Sequence, residues 1–96
     1  MSTQQNGPLV MEVIDKALDT LGKTPKQAIW VLLEKDLNVK INELPKNIQE
    51  FTEGLEKIFG FGYKFLDKLF CNYLEEATGK QFQENQTFCD RVQSLL

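Results

Sequence analysis

Six apolar residues in a row, Ala28 to Leu33 (AIWVLL), constrain this 96-residue chain more than any other feature. In a helix such a run wraps most of the circumference rather than one stripe, so it must be covered on all sides or show an apolar patch to a partner. If Ile29 and Leu33 face the core, Trp30 lies on the flank and Val31 points nearly opposite. Trp30 and Val31 are therefore the candidate interface anchors. The preceding Thr24-Pro25-Lys26-Gln27 reads as a helix start, with Thr24 as N-cap, Pro25 at the first helical position and Gln27 reaching back as in a capping box.

The rest of the chain keeps a helical period. Residues 1–8 are polar and end in Gly7-Pro8, which predicts a flexible N-terminal tail ahead of a single domain over 9–96. Val10, Ile14, Ala17, Leu18 and Leu21 form the first stripe, and Gly22 ends it as a left-handed cap would. Between 38 and 47 the period lapses. The Val39-Lys40-Ile41 alternation there allows one very short strand, and Pro45 then opens the next helix. Ile48, Phe51, Leu55, Ile58 and Phe59 share the next helical face. A fourth helix over 62–77 turns Tyr63, Leu66, Leu69, Phe70, Tyr73 and Ala77 inward and Lys64, Lys68 and Glu75 outward, with Gly79 as its terminator. A last helix starting at Asn85 carries Phe88 and Val92. The expected fold is an all-α compact bundle of about five short helices.

The stretch Phe59-Gly60-Phe61-Gly62-Tyr63-Lys64-Phe65 invites two other readings, a base-stacking strand and a phosphate-cradling loop. A strand is at odds with the helical stripes on both sides, and Phe59 and Lys64 occupy positions where the stacking motif wants a basic and an aliphatic residue. The helical reading makes it a structural corner. Gly60 takes the left-handed position, Phe61 folds back against Leu55, and Gly62 caps the next helix. An anion could meet the free amides there, with Lys64 nearby.

Lys57, Lys64 and Lys68 are the candidate contacts for an anion or nucleic acid, since Lys64 and Lys68 stand one turn apart. Glu53, Glu56, Asp67, Glu75 and Glu76 dilute that stripe, and Arg91 is the sole arginine available to read a base edge. A formal net charge of −3 further disfavours a polyanion. Histidine is absent, Cys71 and Cys89 have no metal-ligand spacing, and no nucleophile stands in a motif that would activate it. Adjacent carboxylates such as Glu75 and Glu76 point in different directions on a helix. Neither an enzyme nor a cofactor or metal site is expected. Cys71 falls near the polar side of its helix with nothing to activate its thiol. No leader-like segment and no apolar run of membrane-spanning length is seen, so a cytoplasmic setting and no membrane contact are expected.

Taken together, AIWVLLEKDLNV, ELPKNIQEFTEGLEKIFGFGYKFLDKLF and YLEE resemble the archaeal Nitrosopumilus output domain family over roughly residues 26–76. There an AIW…LEK helix precedes a P…F…LEKIFG.G helix and corner. Phe70 and Cys71 depart from the more aliphatic pattern. The resemblance implies a small helical domain of unknown biochemical activity with an output or adaptor role, and it brings no catalytic residues. The expected function is accordingly a helical adaptor or regulatory output module acting by contact with a protein partner or by self-association. The alternative is a small DNA-binding, transcription-associated domain that uses the lysine-bearing helix 62–77.

Overall fold

The helix over residues 23–36 changes its winding at Leu32, within the apolar run. In the computed structural model, which describes residues 2–96 and the side chains from residue 7 onward, the elements are α1 (Ser2–Asp19), α2 (Lys23–Val31), α3 (Ile48–Phe59), α4 (Tyr63–Thr78) and α5 (Phe88–Leu95). A π turn over Leu32–Asp36 extends α2, and 3₁₀ turns cover Ile41–Glu43 and Gly60–Gly62. No strand occurs among the described residues. The bundle measures 32 × 26 × 22 Å, and the all-α class is as expected.

The boundaries differ from the sequence reading at five places. The helical path begins at Ser2 rather than after Pro8, which lies within α1. Leu21, expected on the first core stripe, is 38% exposed because α1 stops at Asp19. Gly22 does have a positive φ, 103°, but its ψ of 159° is extended, so it serves as the N-cap residue of α2. Thr24 is thereby drawn inside the helix, and no side-chain cap bond forms. Pro25 is still accommodated, since the first-turn amides have no intrahelical acceptor and the first such bond runs from the Lys26 amide to the Gly22 carbonyl. In place of Pro45, Asn47 precedes α3. Thr87, not Asn85, starts α5, through a capping box in which Thr87 Oγ1 accepts from the Asp90 amide and Asp90 Oδ2 accepts from the Thr87 amide.

The core is one cluster. α1 buries Val10, Val13, Ile14, Ala17 and Leu18, with a helix-period spacing that lays a single stripe on the other helices. Four aromatic rings run through its centre: Trp30 lies 6.0 Å from Phe51, Phe51 lies 6.1 Å from Phe70, and Phe70 stacks on Phe88 at 4.7 Å. Each ring comes from a different helix, so the series ties α2, α3, α4 and α5 together. Trp30 is thus half-buried against the core.

Gly54 decides how closely α3 approaches the π turn. A Cβ there would stand 2.7 Å from Leu33 Cδ2, inside any tolerable contact, and Leu33 has no exposed surface. Beyond the π turn, Asn38 adopts φ 56° and the Val39 amide donates to the Leu33 carbonyl at 2.8 Å, closing the helix end and delivering Val39 to the core. Gly79 at φ 68°, ψ 8° ends α4 in the left-handed conformation expected of it.

Candidate functional site

The corner between α3 and α4 is where the chain departs most from its sequence reading. Gly60 has the expected positive φ, 58°, but a ψ of −131° rather than the left-handed value near +45°, and the chain passes into a 3₁₀ turn. A Schellman-type cap needs the left-handed geometry to fold the following side chain back onto the helix. Without it Phe61 swings away from Leu55 and is 91% exposed. Gly62, at φ −64°, ψ −18°, already follows the helical path of α4. The Tyr63 amide is bonded to the Gly60 carbonyl, so it is not free for an anion.

Phe65 follows four residues later and is 83% exposed. Lys64 and Lys68 are exposed as well; 64, 65 and 68 of α4 fall within roughly 100° of the helix circumference at 3.6 residues per turn, and Phe61 stands in the 3₁₀ turn just ahead of them. The outer face at the start of α4 is thus two phenylalanines interleaved with two lysines. Leu69, next on the phenylalanine side, is half-buried and packs on the core. Of the seven phenylalanines, Phe51, Phe70 and Phe88 are buried, Phe59 and Phe82 are half-buried, and only this pair stands out in water. Phe61 thus lies outward rather than against Leu55, and the i, i+1, i+4 spacing of Lys64, Phe65 and Lys68 is the sequence signal for the exposed face beside it.

Lys57 stands on α3, off the stripe that carries Lys64 and Lys68. It shares a cleft with Glu53 and Glu56 on α3, which offsets its charge locally. Val31 is 50% exposed and its neighbour Leu32 36%, so the outer side of the apolar run does present a small patch, but Trp30 is turned largely into the aromatic series. The candidate pair is therefore divided between surface and core.

Compared with known proteins, the chain matches no family model, no curated relative and no solved structure.

The other polar feature is a cleft of about 520 Å³ between α4 and the segment leading into α5, lined by Asp67, Lys68, Cys71, Glu75, Glu84 and Arg91 among others. Asp67 Oδ1 accepts from the Phe88 amide at 3.0 Å and from the Tyr63 hydroxyl at 3.3 Å, while Oδ2 lies 3.8 Å from Cys71 Sγ. Cys71 is thus buried, against the expectation of a polar-side position, because α5 covers that side of α4. Burial first, and the Asp67 charge second, push its thiol up to about 12, far from a reactive thiolate. The Tyr63 phenol is raised by the same two causes. Arg91, buried, is fully engaged by Glu75 and two backbone carbonyls. These groups hold helices together and offer neither a poised base nor an activated nucleophile. Among the described residues no group of three potential metal ligands converges, and no helix is long and apolar enough to cross a membrane.

Proposed function

We propose that this chain is a small non-enzymatic adaptor or output module that works by protein contact through the outer face at the start of α4, with Phe61 and Phe65 as its anchors. The observation that carries the reading is that pair of rings, 91% and 83% exposed in a domain that shelters its other phenylalanines. Aromatic side chains one turn apart are the residue type that supplies most binding energy when a partner covers them. Burying both would contribute about 3–6 kcal/mol. That is comparable to the low end of the ~4–15 kcal/mol lost on association, so the complex is a transient one unless its rim adds to it.

The resemblance of residues 26–76 to the output-domain family would imply the same adaptor role, and the two free thiols suit a cytoplasmic setting. A second copy of the chain is one possible partner.

The test places a photoreactive benzoylphenylalanine at position 65 and irradiates cells that produce the protein. Discrete protein adducts, lost when Phe61→Ser is added, are the expected result. Adducts to nucleic acid would instead favour the DNA-binding alternative through Lys64 and Lys68. No adduct at all would refute the contact reading.

A further inference from the structure

We infer that the segment received by this face is acidic and amphipathic, with apolar side chains for Phe61 and Phe65 and carboxylates for Lys64 and Lys68. The inference rests on the contact reading above and adds the chemistry of the partner. Lys64 and Lys68 share the α4 stripe of Phe65, just beyond Phe61, and both are exposed. Among the described lysines the ion-paired ones are Lys16, which meets Glu12 at 3.6 Å, and Lys26, which bridges Asp15 and Asp19; what sets Lys64 and Lys68 apart is their place beside two exposed rings. The nearest carboxylate in sequence, Asp67, is turned aside and holds the Phe88 amide. A helix or strand that lays apolar groups over the rings would therefore bring its own flanking groups against two ammonium ions, which carboxylates satisfy and lysines or arginines do not.

The surrounding charge selects a compact acidic segment over an extended polyanion. Glu53 and Glu56 lie on α3, and Asp67, Glu75 and Glu84 line the same cleft as Lys68. With screening over about 8 Å at physiological salt, a few carboxylates placed on the lysines feel chiefly those lysines. A continuous phosphate chain or an anionic membrane surface must also pass the acidic flanks, in a molecule whose formal charge is −3. A symmetric pairing of this face with itself sets lysines against lysines, so a second copy would have to offer a different, acidic surface.

The probe is a short synthetic helical peptide with leucines one turn apart flanked by glutamates, titrated into the isotope-labelled full chain and followed by amide chemical shifts. Saturable shifts over residues 60–69 are expected, about tenfold weaker for the same peptide with lysines in place of the glutamates. The Lys64→Glu/Lys68→Glu variant should reverse that preference, which a loss of folding cannot mimic. Equal binding of the two peptides, or no shifts with either, would overturn the inference. So would tighter binding to single-stranded oligonucleotide or to anionic phosphatidylserine vesicles than to the glutamate peptide. If both peptides bind equally and Phe61→Ser/Phe65→Ser abolishes the shifts, the contact reading stands and only its acidic selectivity falls; photo-adducts at position 65 report on the contact reading independently.

Discussion

Arg91 on α5 donates through Nη1 to Glu75 on α4 at 2.9 Å, while its Nε and Nη2 donate to the carbonyls of Gln86 and Gln83. Its guanidinium also stands 5.2 Å from the centre of the Phe82 ring. One buried side chain thereby fastens the irregular segment between α4 and α5 to both helices. Arg91→Ala should cost about 2–3 kcal/mol in chemical denaturation, less than the ~3–5 kcal/mol of a wholly buried pair because Glu75 remains partly in water. Arg91→Lys should recover little of the loss, since one ammonium cannot reproduce three directed bonds. A lysine variant as stable as wild type would show that charge alone matters here.

The exposed and buried phenylalanines should respond oppositely to truncation. Phe61→Ser and Phe65→Ser are expected to leave the unfolding free energy within about 0.5 kcal/mol of wild type. Phe70→Ala, which empties the centre of the aromatic series, should cost roughly 3–5 kcal/mol. Thermal and urea unfolding of the three variants separates surface from core, and a large loss at Phe61 would return that ring to the corner packing.

Gly54 should be intolerant of branched side chains. Gly54→Val is expected to destabilise by about 1–3 kcal/mol through overpacking against Leu33, Leu37 and Val39. Alanine should cost less, because its helix preference of ~1 kcal/mol over glycine offsets part of the 2.7 Å contact. Denaturation midpoints of the two variants give the comparison; equal effects would mean that the π turn yields freely.

Alkaline pH should loosen the fold before neutral or mildly acid pH does. The Cys71 thiol is raised from an ordinary value of 9.0 to about 12 by burial and then by Asp67. Between those values the unfolded chain loses the proton and the folded chain keeps it, so stability is fully present below about pH 9 and falls as pH rises toward 12. Tyr63 shifts in the same direction and adds to the fall. Urea midpoints from neutral pH to about pH 11 should decline, and less steeply in Cys71→Ala. Identical slopes would remove Cys71 from the account.

The first turn of α5 tests the capping box. Thr87→Ala should cost about 1 kcal/mol, and amide exchange should quicken at Phe88 to Asp90, where the cap is lost. Unchanged exchange would assign the helix start to Asp67 and its bond to the Phe88 amide alone.

The sequence by itself determined the helical class, most of the stripes of α1, α3 and α4, and the stop at Gly79, because these depend on a 3.6-residue period and on a local backbone preference. At the end of α4 the expected Ala77 is exposed and Leu74 is buried instead. The capping box was also within its reach, as Thr87 and Asp90 stand at the required spacing, though Asn85 was the more obvious start. Tertiary structure decided which side chains reach water. Phe61 turns outward through the ψ angle of Gly60, which glycine's permissive backbone leaves open in the sequence. Cys71 is buried because α5 folds over it, and Arg91 finds its carboxylate 16 residues away in the chain. Gly54 matters only once Leu33 is packed against it. Each of these depends on what arrives from a distant segment, and a local period carries no record of that.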